Sequence, residues 1–288
     1  MTPTGDRGAP ARAGSSAYRK TTVLERLGVM VSRVVGNGAL RRVLRAAYHG
    51  MLGGGSGALV STLPHGEVVR VAPQYRLMSW NPIEYEAFRG ALRPGDVALD
   101  IGANVGAYTL LFAQWVRPGG RVISFEPAPG AFTALQQHVA LNHVSAVVEC
   151  RPVAVSDAEG EVAFASDGFQ GTNHIMHGQA ASPGAVTRVP TTTVDAVCAA
   201  SGVTPRLVKI DVEGAELSVL RGARRTLAAM RPAGVVFMEL HPAAWASYGM
   251  TRGDLEAELA AQGLRVEGLR TGIDPWSMEG ECVRLVPT

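Results

Sequence analysis

The run Asp100-Ile101-Gly102-Ala103-Asn104-Val105-Gly106-Ala107-Tyr108-Thr109 constrains this chain most. It follows a short apolar strand, Val97-Ala98-Leu99, and opens an amphipathic helix over residues 105–116. A strand ending in an acid, then a glycine turn, then a helix marks a nucleotide site in an open α/β sheet. The acid's position selects the nucleotide. In a dinucleotide fold the turn offers bare backbone N–H groups to a pyrophosphate. Asp100 at the mouth of the loop would repel that anion and suits a ligand that carries a cation. S-adenosylmethionine, with an ammonium and a sulfonium, is such a ligand. Gly102 and Gly106 let the backbone turn tightly and approach its methionine moiety.

The second strand, residues 121–125, leads into Glu126-Pro127, and Glu126 stands twenty positions beyond Gly106. An acid there accepts both ribose hydroxyls. That spacing serves NAD as well, so an NAD-dependent oxidoreductase stays in view. Asp100 together with the Gly-x-x-x-Gly spacing favours S-adenosylmethionine. The loop Pro152-Val153-Ala154-Val155-Ser156-Asp157 follows the third strand and lies where an adenine edge would rest. Backbone groups around Ala154, with Ser156 or Asp157, would meet the base, unless this is a plain turn.

From residue 97 the pattern alternates: strands at 97–100, 121–125 and 146–150, helices at 105–116 and 129–142. Alternation of this kind implies right-handed crossovers, a parallel sheet and helices on both faces. It breaks at 161–165 and 185–189, two extra strands around a polar loop, 167–182. Thr193 caps a helix running to residue 200. The strands 206–211 and 234–240 resume the sheet with a helix at 215–230 between them. A helix at 254–262 and a terminal strand pair at 264–269 and 281–286 complete the domain.

Upstream, residues 1–18 have the composition of a disordered start. Residues 21–48 show helical spacing split at Gly36-Asn37-Gly38, and the run from Gly53 to Gly57 is a flexible joint. Short strands at 68–71 and 75–79 around Pro73 predict a β-rich lid, and Pro82 opens a helix over 82–92. The division is an N-terminal extension over 1–80 and an α/β domain over 81–288.

Charge bears on partners. Residues 1–50 carry nine basic and two acidic residues, +7 against a whole-chain +2. Helices this basic offer contact to a second subunit, an acidic partner or an anionic membrane, or simply a solvated face. Few aromatics and a modest total charge argue against nucleic acid. Cys150, Cys198 and Cys282 match no metal spacing and read as free thiols in a reducing compartment. With no apolar run near the roughly 20 residues of a membrane span and no signal-peptide core, the expectation is a cytoplasmic protein.

Strand 206–211 carries two charges where buried parallel strands are normally continuous Val, Ile and Leu. Lys209 and Asp211 point to one face and are costly there unless paired. Asp211 falls at the strand's C-terminal end, where open α/β sheets bind ligands. Glu213 and Glu216 sit at the next helix's N-terminus, where the dipole tolerates acids, and for Glu216 that capping role is the expectation. Glu239 and His241 end the following strand at the same rim, and a His beside a carboxylate is a general base.

The set Asp100-Ile-Gly-Ala-Asn-Val-Gly106, Phe125-Glu-Pro127, Val155-Ser-Asp157, Thr193-Val-Asp195, Lys209-Ile-Asp-Val-Glu-Gly-Ala-Glu216 and Glu239-Leu-His241 resembles the FkbM-type methyltransferases over about residues 80–270. The resemblance implies S-adenosylmethionine-dependent O-methylation of hydroxyls on polyketides, sugars or other natural products. It implies a Rossmann-like, seven-stranded sheet of order 3-2-1-4-5-7-6 with strand 7 antiparallel. It also implies that Asp100, Gly102, Asn104, Gly106 and Glu126, with the adjoining Ala103, hold the cofactor, and that Asp211 lies near the methyl. On this view His241 or Asp211 takes the acceptor proton and Glu239 orients the base. Two alternatives remain. In one, Asp211, Glu213, Glu239 and His241 supply ligands to Mg²⁺; in the other, the chain is a non-catalytic cofactor-binding or interaction protein. The acceptor is expected to be a small hydroxylated molecule read by residues 68–79, the helix at Pro82 and the loop holding Phe169, Gln170, Thr172, Asn173, His174 and His177.

Overall fold

The computed structural model describes residues 57–166, 174–175, 185–277 and 280–288. The expected basic helices, the glycine joint up to residue 56, and Phe169, Gln170, Thr172, Asn173 and His177 lie outside the described residues. Seven strands build the central sheet: β3 (Val97–Ile101), β4 (Arg121–Phe125), β5 (Val148–Arg151), β10 (Leu207–Ile210), β11 (Val235–Glu239), β12 (Leu264–Gly268) and β13 (Cys282–Pro287). They lie side by side in the order β12-β13-β11-β10-β3-β4-β5. Neighbours from β5 to β11 are parallel, and β13 is antiparallel to both β11 and β12. Numbered within this sheet, the order is the expected 3-2-1-4-5-7-6.

Apolar alternation along the inner strands builds two cores. Leu99, Ile101, Ile123, Val208 and Ile210 face one side, packed against α4 (Val194–Ser201), α5 (Glu216–Arg221), α6 (Arg224–Ala229) and α8 (Arg252–Ala261). Ala98, Val122 and Leu207 face the other, against α1 (Pro82–Ala91), α2 (Ala107–Trp115) and α3 (Pro129–Leu141). Local chemistry starts these helices. Pro82 occupies the first turn of α1 while the Asn81 side chain accepts from the Ile83 N–H. Thr193 caps α4, and Thr251 and Asp254 form a capping box on α8. Among the described residues no helix is long and apolar enough to cross a membrane.

Two expectations change. The strand at 75–79 does not form: Pro73–Tyr75 is a 3₁₀ turn, and β2 (Val68–Val71) pairs instead with β1 (Leu59–Thr62). All four residues of β1 are exposed, so no alternation marks it in the sequence. This hairpin packs along α3: Arg70 N–H donates to Asn142 Oδ1 and Ala72 N–H to His138 Nε2, whose Nδ1 bonds the Val105 carbonyl of the glycine loop. Val69 and Val71 pack in the same core as Tyr85 and Phe88 of α1. The segment that follows reaches the start of α2, where Trp80 Nε1 donates to the Ala107 carbonyl.

The helix expected over 215–230 is broken into α5 and α6 at Gly222-Ala223. The Gly222 carbonyl accepts from Asp195 N–H, and the Asp195 carboxylate accepts from the N–H groups of Arg225 and Thr226. A cap supplied from another helix thus restarts the chain as α6. A Cβ on Gly222 would lie 2.1 Å from the Ser156 carbonyl oxygen. The strands flanking the polar loop form a second sheet from β6 (Ala154–Val155), β7 (Gly160–Ser166), β8 (His174–Ile175) and β9 (Ala185–Thr192). Their order is β6-β9-β7-β8.

Helix propensity alone favours Ala over Gly by about 1 kcal/mol, but the contact with Ser156 reverses the sign. Gly222→Ala is expected to destabilise the protein by about 1–3 kcal/mol, measured by urea denaturation. An equal or raised midpoint would show that the backbone at Ser156 gives way.

Candidate active site

A cleft opens at the C-terminal rim of the sheet, beside β3, β4 and β10. Gly102, Asn104, Glu126, Pro127, Val153, Ala154, Val155, Phe164 and Asp211 are among the residues that line it. The cleft is open to solvent along its mouth. One wall is apolar, from Val153, Val155 and Phe164. The opposite end is acidic.

The glycine loop is pinned from below. Gly102 and Ala103 N–H both donate to the Phe125 carbonyl, which ties the loop to the end of β4. Gly102 has φ +78°, and a Cβ there would lie 1.7 Å from the Asp211 carbonyl oxygen. Only glycine permits β3 and β10 to end this close together. Gly106, at φ +92°, starts α2 and rests on Leu135. Glu126 is buried, with one oxygen accepting from Asn104 N–H and the other from Ala128 N–H, each at 2.8 Å. Burial outweighs these bonds and pushes its pKa up to about 7.

Of the eight residues expected to hold the cofactor, Gly102, Asn104, Glu126 and Ala154 stand on the cleft wall. Ala103 and Gly106 shape the loop behind it. Ser156 turns away: its N–H donates to the Thr192 carbonyl and its hydroxyl to Asp157. Asp100 is not at the mouth of the loop. Strand β3 extends through Ile101, which leaves Asp100 under the loop and 1 % exposed. One of its oxygens accepts from Thr109 Oγ1 at 2.6 Å; the other accepts no hydrogen bond among the described residues.

Lys209 explains how these acids are tolerated. Its ammonium is buried, 2.9 Å from Asp211 Oδ2 and 3.8 Å from Asp100 Oδ1, with the Tyr108 ring 5.6 Å away. Burial opposes the charge, but the two carboxylates outweigh it and raise the Lys209 pKa. Burial raises the Asp100 pKa, against the pull of the more distant ammonium. Tyr108 donates to Glu84, whose second oxygen accepts from Cys282 N–H, so α1 and β13 close the rim beyond Lys209.

His241 gathers the remaining acids. Its Nδ1 bonds Glu216 Oε1 at 2.7 Å. Its Nε2 lies 3.5 Å from Glu213, 3.7 Å from Asp211 and 3.7 Å from Glu239. Burial lowers the imidazole pKa, but the Glu216 bond and the surrounding carboxylates carry it to about 9. Burial, then Asp211, pushes Glu239 up to about 7. Ligand atoms of Asp211, Glu239 and His241 lie within 4.8 Å of one another. The structure therefore brings the predicted catalytic residues together, but the carboxylate on Nδ1 is Glu216, not Glu239. Glu216 is fully buried. Its helix-end position gave no sign of this, because its partner lies 25 residues further on. Glu84, Tyr108 and Thr109 were likewise silent in the sequence.

A parallel sheet with one antiparallel strand, a glycine loop at the rim and a buried acid just after β4 define a Rossmann-like, class I methyltransferase fold. The pattern of the methyltransferase FkbM domain matches residues 100–266. The chain belongs to the FkbM methyltransferase family. The 31-O-demethyl-FK506 methyltransferase FkbM of Streptomyces tacrolimicus is 46 % identical over 69 residues, 24 % of this chain and 25 % of that protein. The 2-O-methyltransferase NoeI of Sinorhizobium fredii (strain NBRC 101917 / NGR234) is 29 % identical over 154 residues, 48 % of this chain and 62 % of that protein. The chain thus matches less than two thirds of either relative's length. Among solved structures, methyltransferase FkbM from Methylobacillus flagellatus KT aligns over 74 % of this chain and 52 % of its own, at 16 % identity and a TM-score of 0.43.

Lys209→Met leaves Asp100 and Asp211 facing each other without a cation. A loss of about 3–5 kcal/mol in unfolding free energy is expected, with partial recovery on adding Asp100→Asn. Unchanged stability of the single variant, read by urea denaturation, would show that the acids do not depend on Lys209.

Proposed function

We propose that this chain transfers the methyl group of S-adenosylmethionine to a hydroxyl of a small-molecule acceptor. The observation that carries the reading is Glu126: a buried carboxylate pinned by Asn104 and Ala128 N–H at one end of the cleft, with Asp211 at the other. A carboxylate has about four lone-pair sites, so two remain for a ribose diol. Val153, Val155 and Phe164 supply an apolar bed for adenine, and Gly102 and Asn104 border the methionine end. Two relatives named as O-methyltransferases support oxygen as the accepting atom.

The bound cofactor supplies a methyl group already activated by its sulfonium. What the protein adds is alignment and removal of the acceptor's proton. The acceptor oxygen sits beside Asp211, and His241 Nε2 takes the proton as the C–O bond forms and the C–S bond breaks. At neutral pH most of His241 is already protonated, so the reactive neutral form grows as pH rises toward about 9. A second reading rests on the convergence of Asp211, Glu239 and His241. These donors fit a divalent cation such as Mg²⁺, which would orient acceptor oxygens. Turnover lost to excess chelator and restored by Mg²⁺ supports it; undiminished turnover removes it.

Calorimetry with S-adenosylmethionine, then an assay for S-adenosylhomocysteine with hydroxylated acceptors, separates an enzyme from a protein that only binds. Binding without product under any acceptor would favour the non-catalytic alternative. Glu126 must be ionised to accept both ribose hydroxyls. Affinity therefore rises as pH climbs through about 7, where half of the carboxyl is ionised, and falls below it as the carboxyl protonates. Glu126→Gln is expected to weaken binding about tenfold, or 1.4 kcal/mol, and to flatten this pH dependence; a variant with wild-type affinity would place the ribose elsewhere. For chemistry, kcat is expected to rise between pH 7 and 9 and to collapse in His241→Ala. A flat profile over that range would transfer the base to Asp211.

A further inference from the structure

We infer that Glu216 is a positioning residue that sets the tautomer and direction of His241, an assignment that rests on the reading of His241 as the base. Glu216 is the first residue of α5, and its side chain is fully buried. The preceding turn aims it. Glu213 and Gly214 both have positive φ, 52° and 112°, and Gly214 N–H donates to Glu216 Oε1 at 3.0 Å. The turn has no slack, because a Cβ on Gly214 would lie 2.6 Å from the Tyr248 ring.

The carboxylate accepts two further bonds. Oε1 bonds His241 Nδ1 at 2.7 Å, and Oε2 accepts from Trp245 Nε1 at 2.9 Å. All three partners can donate, and Gly214 N–H and the indole can do nothing else. The proton of neutral His241 is thereby held on Nδ1, which leaves the Nε2 lone pair facing Asp211, Glu213 and Glu239 at the rim. Buried carboxylates behind catalytic imidazoles act in this way, and loss of the correct tautomer is costly even when geometry survives. A helix-capping role would need only the Gly214 bond. It explains neither the imidazole nor the indole.

The donor pattern makes the carboxylate hard to replace by its amide. The side chain introduced by Glu216→Gln has one acceptor oxygen. Facing Gly214 and His241 with it turns the amide NH₂ against the Trp245 N–H. The opposite orientation sets NH₂ against Gly214 N–H and Nδ1, which pushes the imidazole proton to Nε2. Adding Trp245→Phe removes the indole donor and frees the amide to keep its oxygen on His241.

The experiment is ¹⁵N NMR of the imidazole in ¹⁵N-histidine-labelled full-length protein, with His241 assigned by its absence from His241→Ala, at alkaline pH where the ring is neutral. Alongside it, kcat and KM are measured for wild type, Glu216→Gln and Glu216→Gln/Trp245→Phe. The proposal expects the Nδ1–H tautomer in wild type and a shift toward Nε2–H in Glu216→Gln. It expects kcat down on the order of 10²-fold with KM for S-adenosylmethionine little changed, and recovery of both signals in the double variant. A wild-type ring protonated on Nε2 overturns it, and this needs no variant to fold. A Glu216→Gln protein with wild-type tautomer and kcat overturns it too. The tautomer is read without turnover. A shifted tautomer in Glu216→Gln beside full activity in His241→Ala therefore supports the positioning role while removing His241 as the base.

Discussion

Lys209 is the contact on which the site's geometry depends. Its ammonium lies between the carboxylates of Asp100 on β3 and Asp211 at the end of β10. Those two strands are neighbours in parallel register, with Lys209 paired to Asp100 itself. Asp100 is buried and Asp211 half-buried, so the two would repel in a medium of low dielectric, and a cation between them converts that repulsion into attraction. The glycine-loop half of the cleft rests over Asp100, and the other half begins at Asp211. Lys209 therefore sets the spacing between the two halves.

Glycines let the strand ends approach closely enough for this bridge to be useful. The Gly102 position tolerates no side chain against the Asp211 carbonyl. The Gly102 and Ala103 amides then tie β3 to β4 through the Phe125 carbonyl, and Glu126 receives the two backbone N–H groups that hold it in the cleft. On the far side, His241 draws its orientation from Glu216 and its charge from the acids around Nε2. The rim holds more carboxylates than cations, so the basic groups there are held protonated, while burial, reinforced by neighbouring carboxylates, shifts Glu239 and Glu126 upward. A neutral hydroxyl acceptor and a cationic methyl donor match that balance better than an anionic acceptor would.

Much of the frame was legible from residue order. The glycine turn after an acid, the alternation of strands and helices, and two charges within an apolar strand located the rim and its main residues. Where the local pattern misled, a tertiary contact had overridden it. Gly222 breaks a helix because it presses on Ser156 and bonds Asp195. Strand β1 escapes notice because neither of its faces is buried. The helix-capping role expected of Glu216 was incomplete for a related reason: its indole and imidazole partners come from the turn after β11, and no spacing along α5 records them.

By itself the sequence determined the class of fold, the charged strand beside the cleft and the acid that follows β4 on the cleft wall. Each of those follows from periodicity, backbone freedom at glycine and the cost of burying charge, which are local properties. Only the tertiary structure decided that Asp100 lies beneath the loop beside Lys209, that Ser156 faces away from the cleft, and that Glu216 rather than Glu239 holds His241. These are matters of which strand extends one residue further and which side chains converge across the sheet. Packing settles them, because a buried donor or acceptor must find its partner wherever the fold has placed one.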